Sequence, residues 1–464
     1  MVPVSSSSDA CSKAKMAPEM TTSERDHLFA EAGRDRPRRF SNAQLKVVIV
    51  ATNVSTRFGG EAILPWHYFR LLRKRGVEAW LVSHERTRLE LISLLPHEAD
   101  RMLFVPDRPE QRWLHRLSEP MPQRIASLTT GWVIGLYTSV MQRKIVRDLV
   151  HTHGIDVVHE PIPVSPKQPS LMYGVGAPVV MGPMNGGMNY PPGFRNSEGL
   201  LQRWLVRAGR TASDALNLAL PGKREAAVLL VANQRTREAL PRGVGGEIIE
   251  LVENGVDLTV FGPARANGRQ FRTPPRFAFV GRLLELKGVD MLLEATARAL
   301  REQKLELHIV GDGSIRSQLE TLAATLGLNQ HVVFHGFIPQ KQCATLLADC
   351  DALVLPSICE CGGAVVLEAM AMGLPVIATK WGGPADYLDE TSGILIEPRG
   401  RERFIADLAQ AMVKLSNSRE LGPWLGTSGR ARVATEFDWE KKIDRILRVY
   451  TRASQLHRAV KEAP

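Results

Sequence analysis

The chain has 464 residues, 44% of them hydrophobic and 23% charged, which is the composition of a globular protein long enough for two domains. Its net charge of +10 favours anionic partners such as anionic lipid or phosphorylated small molecules. Nucleic acid is disfavoured, because the sequence contains no array of basic residues interleaved with aromatic residues and no zinc-finger spacing.

The cysteines are few and clustered, which argues against the disulfide framework of a small secreted protein. They are the five residues Cys11, Cys343, Cys350, Cys359 and Cys361. A reducing compartment, the cytoplasm, is the simplest expectation. Cys359 and Cys361 form a C-x-C pair without a second pair or nearby histidine ligands, so we predict no metal site there.

The N-terminal segment, residues 1–42, opens with a serine run and ends in GRDRPRRF. It has neither the apolar core nor the small-residue cleavage site of a signal peptide, and we predict a disordered arm. A solvated charge run is the favoured interpretation of its arginines, and contact with an anionic membrane is the alternative. These arginines are Arg34, Arg36, Arg38 and Arg39.

From residue 45 the chain alternates short β-branched runs with helical patterns, beginning with the strand LKVVIVAT. A helix is predicted in EAILPWHYFRLLRKRG and a second strand in VEAWLVS. This order of strand, helix and strand predicts a parallel sheet. The later runs IDVVHE, APVVMG, AVLLVAN and EIIELVENGVD continue the scheme.

The longest apolar-leaning stretch is SLTTGWVIGLYTSVM, residues 127–141. A membrane-spanning helix needs about 20 apolar residues, so we exclude a bilayer span for this stretch. A core helix of the first domain is the favoured interpretation. A helix lying on a membrane surface, flanked by Arg124, Arg143 and Lys144, is the alternative.

A Pro- and Gly-rich stretch near residue 262 precedes a second series of strands and helices, which begins with RFAFVGR. We therefore predict an α/β protein with two doubly wound domains. The first domain is expected to cover residues 43–262 and the second residues 263–440. Residues 441–464 are predicted to form a helical segment, and a return of this segment to the first domain is one option.

The segment PSICECGGAVVLEAMAMG, residues 356–373, is the clearest candidate for a binding site. It predicts a turn and then a helix whose first amides accept a phosphate, with Gly362 and Gly363 allowing close backbone approach. Glu360 in the turn and Glu368 in the helix can bind hydroxyl groups in different parts of a ligand. A phosphate between two hydroxylated groups describes a nucleotide sugar. Two solvated glutamates are the alternative, which is weak for Glu368 because its neighbours are apolar.

This segment resembles the signature of the retaining family 4 glycosyltransferases of GT-B fold, in which seven residues separate two glutamates within PS…LEAMA-x-G-x-PVIA. The resemblance extends from about residue 45 to about residue 450. It implies a GT-B architecture, with two Rossmann-like domains facing a central cleft. It also implies transfer of a hexosyl unit from a nucleotide diphosphate sugar, UDP- or GDP-hexose, to a hydroxyl acceptor with retention at the anomeric carbon. No metal or other cofactor is implied, and the acceptor expected from the family is a polysaccharide or a lipid-linked sugar.

Two further blocks of the second domain support the resemblance. FVGRLLELKGVDMLLEA is similar to the family segment whose arginine and lysine hold the donor diphosphate, here Arg282 and Lys287. Two cations facing a pyrophosphate neutralise its charge without requiring a metal, and a pair of surface cations is the alternative. HIVGDG resembles a family turn beside the nucleotide, here through Gly311 and Gly313, although GDG alone is a weak signal.

The first domain carries two motifs of the family. RFGGEA places Gly59 and Gly60 before a helix, in a loop that the family uses near the diphosphate and the transferred sugar. A plain turn between strand and helix is the alternative. DVVHEP resembles the family strand whose histidine lies near the transferred sugar, which makes His159 the candidate for positioning the reacting groups. An ordinary hydrogen-bonding histidine at a strand end is the alternative.

The sequence departs from the family pattern in three places, one of which is the turn ECGG in place of the commoner Glu-x-Phe-Gly. MGPMNGGMNYPPGF stands where many members have Thr-x-His, and we expect Asn185, with Gly186, Gly187 and Asn189, to form a different acceptor-side loop. GGPAD stands where members usually have Gly-Gly-x-x-Glu, so that Asp386 replaces the glutamate.

Three other functions stay open. A nucleotide-sugar epimerase or a phosphorylase can share the GT-B architecture, and a protein that only binds sugar nucleotides is a further alternative. A nicotinamide oxidoreductase is disfavoured, because VSTRFGGEA does not supply the G-x-G-x-x-G motif. We expect a cytoplasmic protein, with peripheral contact to the inner face of the membrane as the alternative.

Overall fold

The strands fall into two parallel sheets in the computed structural model of the protein. The predicted arm with its arginines, residues 127–129 and Gly59 lie outside the described residues. The structure describes residues 45–57, 60–107, 130–197, 200–263 and 272–462.

The first sheet has seven strands, all paired in parallel. They are β1 Lys46–Val50, β2 Glu78–His84, β3 Met102–Val105, β4 Val157–Glu160, β5 Val179–Met184, β6 Val228–Val231 and β7 Glu247–Glu250. Their spatial order is β3-β2-β1-β4-β5-β6-β7. The chain therefore starts in the middle of this sheet, builds one side, and then crosses to the other.

The second sheet has six strands, again all parallel. They are β8 Arg276–Val280, β9 Glu306–Val310, β10 Val332–Gly336, β11 Ala352–Leu355, β12 Val376–Thr379 and β13 Gly393–Ile396. Their spatial order is β10-β9-β8-β11-β12-β13. The two sheets confirm the predicted α/β class with two doubly wound, Rossmann-like domains.

Helices connect these strands. In the first half of the described chain they are α1 Leu64–Lys74, α2 Arg88–Leu94, α3 Thr130–His153, α4 Leu200–Ala219, α5 Gly222–Glu225 and α6 Gln234–Glu238. In the second half they are α7 Val289–Ala299, α8 Arg316–Thr325, α9 Gln340–Ala348, α10 Ala364–Ala371, α11 Gly383–Tyr387, α12 Arg401–Asn417, α13 Leu421–Arg432 and α14 Trp439–Glu462.

The central strands β1 and β11 are apolar along most of their length because helices cover both faces of each sheet. Val47, Val48 and Ile49 of β1 have no exposed surface, and the same holds for Leu353 and Val354 of β11. A strand with one face in water would alternate polar and apolar residues instead. This explains why continuous apolar runs, rather than alternating ones, predicted the strands correctly.

The last helix, α14, packs against the first sheet although it follows the second sheet in sequence. Trp439, Ile443, Ile446 and Tyr450 are buried in the same hydrophobic cluster as Val47 of β1. The end of the chain therefore completes the core of the first sheet, and removing it would expose that core to water.

Helix α3 contains the described part of the 127–141 stretch. Val146 and Leu149, which follow the stretch, lie in the core of the first sheet, whereas Leu136 and Val140 within it are exposed. The core contacts of this helix thus come mainly from its later turns. Within the described ranges, none of the helices combines the length and the apolar composition that a membrane span needs.

The turn after β9 offers a test of backbone packing. Gly311 has a φ of +132°, and a Cβ atom at this position would collide with the carbonyl oxygen of Gly281. We expect Gly311→Ala to lower the free energy of unfolding by about 1–3 kcal/mol, because two packed turns must move apart. Thermal unfolding measures the loss.

A matched control is Gly209→Ala in helix α4, where a Cβ atom would meet no heavy atom within 4 Å. This change should be neutral or should stabilise the protein by up to about 1 kcal/mol, since alanine favours a helix interior. Equal melting temperatures for the two variants would contradict the close packing of the turn at Gly311.

Candidate active site

Three loops meet at the carboxyl edge of the second sheet, because β8 lies between β9 and β11. The Leu283 amide donates to the carbonyl oxygen of Asp312 at 2.9 Å, and the Ile358 amide donates to that of Leu286 at 2.9 Å. The central loop is therefore hydrogen-bonded to both of its neighbours. The loops cover residues 281–288, 311–315 and 356–363. This edge, where the strand order reverses, is the place where sheets of this type bind ligands.

The glycines of the loop after β9 allow the backbones of two neighbouring loops to approach each other. A Cβ atom at Gly311 would collide with Gly281, and one at Gly313 would collide with the carbonyl oxygen of Leu283. The absence of a side chain at these two positions is thus required by packing between loops. Contact of Gly311 and Gly313 with a nucleotide stays a prediction.

The predicted cation and carboxylate meet directly, since Lys287 forms an ion pair with Glu360. Their side chains are only 13% and 14% exposed, so the pair is largely screened from water. The Ser357 hydroxyl donates weakly to the same carboxylate at 3.5 Å. Arg282, by contrast, is exposed and its side chain forms no ion pair with any described residue. One cation is therefore held in place by Glu360, and the other is available to an anion.

The helix that follows Glu360 begins at a glycine in a left-handed conformation. Gly363 has a φ of +80° and caps helix α10, and a Cβ atom at Gly362 would press against Asn254 and Glu253. The turn between Glu360 and the helix is consequently tight, and it is packed against the segment that enters the second domain.

Glu368 lies in the second turn of α10, and its side chain is partly exposed. The side-chain amide of Gln340 donates to its Oε1 at 3.1 Å. Burial raises the pKa of Glu368 to about 7, against the opposing effect of that hydrogen bond. The carboxyl group is therefore divided between its protonated and ionised forms near neutral pH.

Asn185 joins the two domains, and its place in an acceptor-side loop stays a prediction. Its amide nitrogen donates to Glu253 Oε1 at 2.8 Å and to the carbonyl oxygen of Cys361 at 2.7 Å. Its amide oxygen accepts from Arg235 at 3.1 Å. With 4% of its surface exposed and its polar atoms used internally, Asn185 positions the turn that carries Glu360.

Asp386, which replaces the family glutamate, also bonds across the domains. Asn233 donates to its carboxylate at 2.7 Å, and Arg235 lies 3.6 Å from the same oxygen. Sequence reasoning missed both partners. Asn233 is the N-cap of α6, because its side chain accepts a hydrogen bond from the Thr236 amide, and a capping residue of this kind can be recognised in a sequence. Its bond to the second domain cannot be recognised there, because nothing in the neighbouring sequence indicates it.

His159 is buried completely, and its role in positioning the reacting groups stays a prediction. Its Nε2 lies 2.6 Å from the carbonyl oxygen of Gly182, and its Nδ1 lies 2.7 Å from the hydroxyl of Tyr450. The ring of Tyr68 packs edge-on against it at 4.8 Å. Burial lowers the pKa of His159 to about 4, so it is neutral at physiological pH. It anchors α14 to the first sheet.

The loop after β1 is described only in part. Gly60 begins a 3₁₀ turn, Gly60–Ile63, that leads into α1. The neighbouring Glu61 accepts a hydrogen bond from the Val164 amide at 3.3 Å. Gly60 thus lies at the carboxyl edge of the first sheet, beside the segment after β4.

No cluster of three or more His, Cys, Asp or Glu side chains that could hold a metal occurs among the described residues. Their cysteines, Cys343, Cys350, Cys359 and Cys361, form no disulfide with one another.

Comparison with known proteins identifies the family. The family model for glycosyl transferases group 1 matches residues 263–421. A D-inositol 3-phosphate glycosyltransferase of Thermobispora bispora is 30% identical over 297 residues, which cover 56% of this chain and 68% of that protein. The chain belongs to the glycosyl transferases group 1 family. The D-inositol 3-phosphate glycosyltransferase of Segniliparus rotundus is 34% identical over 218 residues, 44% of this chain and 47% of that protein. The chain thus spans about half the length of several curated relatives it matches.

Solved structures of other proteins have the same fold. A glycosyltransferase from Rickettsia africae superposes with a TM-score of 0.60 at 16% identity, covering 88% of this chain and 99% of that one. HepE of Anabaena, solved in complex with UDP, superposes with a TM-score of 0.57 at 18% identity, covering 88% and 100%. These similarities confirm the GT-B architecture expected from the sequence.

The anchoring role of His159 generates a prediction. Tyr450→Phe removes the hydroxyl next to His159 Nδ1 and leaves a buried ring nitrogen without a partner. The free energy of unfolding should fall by about 1–3 kcal/mol. Urea unfolding measures this, and Tyr173→Phe is the control, because the partly exposed Tyr173 uses its ring rather than its hydroxyl to contact Arg143. Unchanged stability of Tyr450→Phe would contradict the anchoring role.

Proposed function

We propose that this protein is a retaining hexosyltransferase that moves a hexosyl unit from UDP- or GDP-hexose to a hydroxyl acceptor. The observation that carries the proposal is the convergence of Arg282, Lys287 and Glu360 on the carboxyl edge of the second sheet. Membership of the glycosyl transferases group 1 family supports it. The structures of HepE with UDP and with UDP-glucose favour UDP-glucose as the first donor to test.

In the proposed complex, Arg282 and Lys287 bind the diphosphate. Their charges stabilise the negative charge that develops on the leaving group, so the proposal requires no metal. The diphosphate attracts Lys287, which already neutralises Glu360 in the free protein. Donor binding therefore weakens the ion pair and frees the Glu360 carboxylate to accept hydrogen bonds from the hexose hydroxyls.

The remaining proposed contacts to the donor come from the turn before α10, from α10 itself and from two other loops that contain glycines. Gly362 and Gly363 bring the first amides of α10 toward a phosphate, and helix N-termini attract anions. Glu368 accepts hydrogen bonds from the ribose. Gly311 and Gly313 place a backbone without side chains beside the nucleotide. Gly60 approaches the diphosphate and the transferred sugar from the first domain.

Transfer with retention requires the acceptor to attack the face of the hexose from which the diphosphate leaves. The bond from the anomeric carbon to the diphosphate breaks, the bond to the acceptor oxygen forms, and the acceptor proton passes to a phosphate oxygen. Closure of the two domains excludes water from this step and limits donor hydrolysis. In this proposal His159 positions the reacting groups indirectly, through its hydrogen bonds to β5 and α14.

The proposed acceptor is a polysaccharide or a lipid-linked sugar, bound mostly by the first domain. The proposed location is the cytoplasm, in agreement with the lack of disulfides among the described cysteines, and a peripheral position on the inner face of the membrane is the alternative.

The direct test is a thermal-shift screen with UDP-, GDP- and ADP-sugars, followed by turnover assays with the donor that binds. A donor at 100 times its dissociation constant adds about 2.7 kcal/mol of stability. Arg282→Ala should reduce turnover about 10²-fold or more and leave the fold intact, because this exposed arginine has no ion-pair partner among the described residues. Wild-type activity is expected to persist in EDTA.

Arg301→Ala is the control, because Arg301 is exposed beyond the end of α7 and forms no ion pair with described residues. Binding of none of the sugar nucleotides would overturn the proposed function. Consumption of a donor without any acceptor product, other than by hydrolysis, would favour an epimerase instead. Unreduced turnover in Arg282→Ala would overturn only the diphosphate assignment.

The two glutamates should respond differently to loss of charge. Glu368→Gln should weaken both the free nucleoside diphosphate and the sugar donor by about 1.5–3 kcal/mol. Glu360→Gln should weaken the sugar donor and slow transfer, with little effect on the free nucleotide, which has no hexose. Calorimetry of both variants with both ligands gives four affinities. Equal losses for the two ligands in Glu360→Gln would refute its contact with the hexose.

Glu368 also predicts a pH dependence. Since its pKa is raised to about 7, the ionised form that binds ribose increases as pH rises from 6 to 8. UDP affinity should therefore increase by up to about tenfold over this range. In Glu368→Gln the increase due to this group disappears, and only titration of the UDP phosphate remains. The same pH profile in both proteins would exclude Glu368 from nucleotide binding.

A further inference from the structure

A cavity of about 760 Å³ lies where the first domain meets the turn that carries Trp381. The loop that contains Gly187, Asn189 and Tyr190 forms one wall, and helix α4 contributes Arg210 and Asp214. The indole nitrogen of Trp381 donates to the carbonyl oxygen of Asn189 at 2.9 Å, which closes the cavity against the second domain. A space of this size accommodates a small sugar or polyol.

The charge of the cavity is unbalanced. Four cations and two carboxylates of the described residues line it, namely Lys167, Arg195, Arg210, Arg235, Asp214 and Glu238. Asp214 accepts a hydrogen bond from Lys167 at 2.6 Å, so it neutralises one cation. The excess positive charge in a partly enclosed space favours an anionic ligand.

Arg210 carries most of this excess. Its guanidinium donates to the carbonyl oxygen of Met188 at 3.2 Å and to the side-chain oxygen of Asn189 at 2.9 Å. Both partners are neutral, and no carboxylate among the described residues pairs with it. The two hydrogen bonds orient the guanidinium without cancelling its charge, which is the arrangement that binds a phosphate or carboxylate with high affinity.

The wall formed by residues 165–167 is held in place by hydrogen bonds. The carbonyl oxygen of Lys167 accepts from Asn217 at 2.8 Å, and the buried Lys223 donates to the carbonyl oxygens of Ser165 and Pro166. These bonds fix the backbone of the segment that presents the Lys167 side chain. A prearranged wall lowers the entropy cost of binding a ligand.

The cavity is connected to the turn of Glu360. Trp381 in its wall is followed by Gly382, where a Cβ atom would collide with the carbonyl oxygen of Glu360. The Gly383 amide donates to that same oxygen at 2.8 Å. A ligand in the cavity therefore lies next to the turn that we assign to the transferred hexose, which is the place an acceptor must occupy.

We propose that this cavity binds the acceptor, and that the acceptor is a hydroxylated molecule carrying a phosphate or carboxylate group. Arg210 binds the anionic group, with Lys167 and Arg195 nearby, and the ring of the acceptor packs against Trp381. The proposal rests on the proposed glycosyl transfer and specifies the chemical class of its acceptor.

The test compares matched neutral and anionic probes by calorimetry: glucose, glucose 6-phosphate and glucuronate. An anionic probe should bind wild type at least about tenfold more tightly than glucose, and Arg210→Gln should weaken it about 10- to 100-fold without affecting glucose. Arg301→Gln, which removes an exposed arginine from the second domain, should leave all affinities unchanged. No preference for either anionic probe, or equal losses in the two variants, would overturn the proposal.

A vesicle arm distinguishes a lipid headgroup from a soluble acceptor. Sedimentation with phosphatidylcholine vesicles, with and without phosphatidylglycerol, is measured for the same three proteins. Binding to the anionic vesicles that Arg210→Gln abolishes supports a lipid source. Binding of soluble anionic probes without vesicle binding supports a soluble source.

Donor binding is measured separately by thermal shift with UDP-glucose on the same preparations. Loss of the anion preference with intact donor binding counts against the acceptor proposal alone. Anion binding that depends on Arg210, in a protein that binds no sugar nucleotide, counts against the proposed glycosyl transfer and leaves the anion site in place.

Discussion

The side-chain amide of Asn185 joins three parts of the chain at one point, and the relative position of the two sheets depends on it. It bonds to Glu253, where the chain leaves the first domain, and to the carbonyl oxygen of Cys361, next to Glu360. Glu253 also accepts from the hydroxyl of Tyr387 at 3.2 Å. A buried polar group left without its partner costs about 1–3 kcal/mol, so these bonds hold the turn with Glu360 at a defined distance from the first sheet.

This junction lies between two regions that differ in charge balance. On the second sheet, Lys287 is paired with Glu360, so charge is balanced until an anion competes for the lysine. In the cavity of the first domain, Arg210 has only neutral partners among the described residues, so positive charge is left over. Arg235 connects the regions, because it lines the cavity and donates to Asn185. Acceptor and donor recognition are thus linked through a few buried hydrogen bonds.

The sequence predicted the second domain more accurately than the first. The segments with Arg282, Lys287 and Glu360 follow adjacent strands of a parallel sheet, so their order along the chain was enough to place them together. His159 lies near the end of β4 and Asn185 follows β5, yet their side chains point into the protein. Strand position alone does not reveal this, because the partners, Tyr450 and Cys361, are 291 and 176 residues away.

By itself, the sequence determined the α/β class, the two sheets and the loops that carry the glutamates. Continuous apolar runs and glycine-rich turns encode these features locally, within one strand and the helix after it. Only the tertiary structure decided that α14 returns to the first core, that Asn185 and Asp386 bond across the domains, and that Arg210 lines a cavity. Each of these depends on contacts between residues far apart in the chain, and a hydrogen bond or an unbalanced charge exists only once folding has brought its partners together or kept them apart.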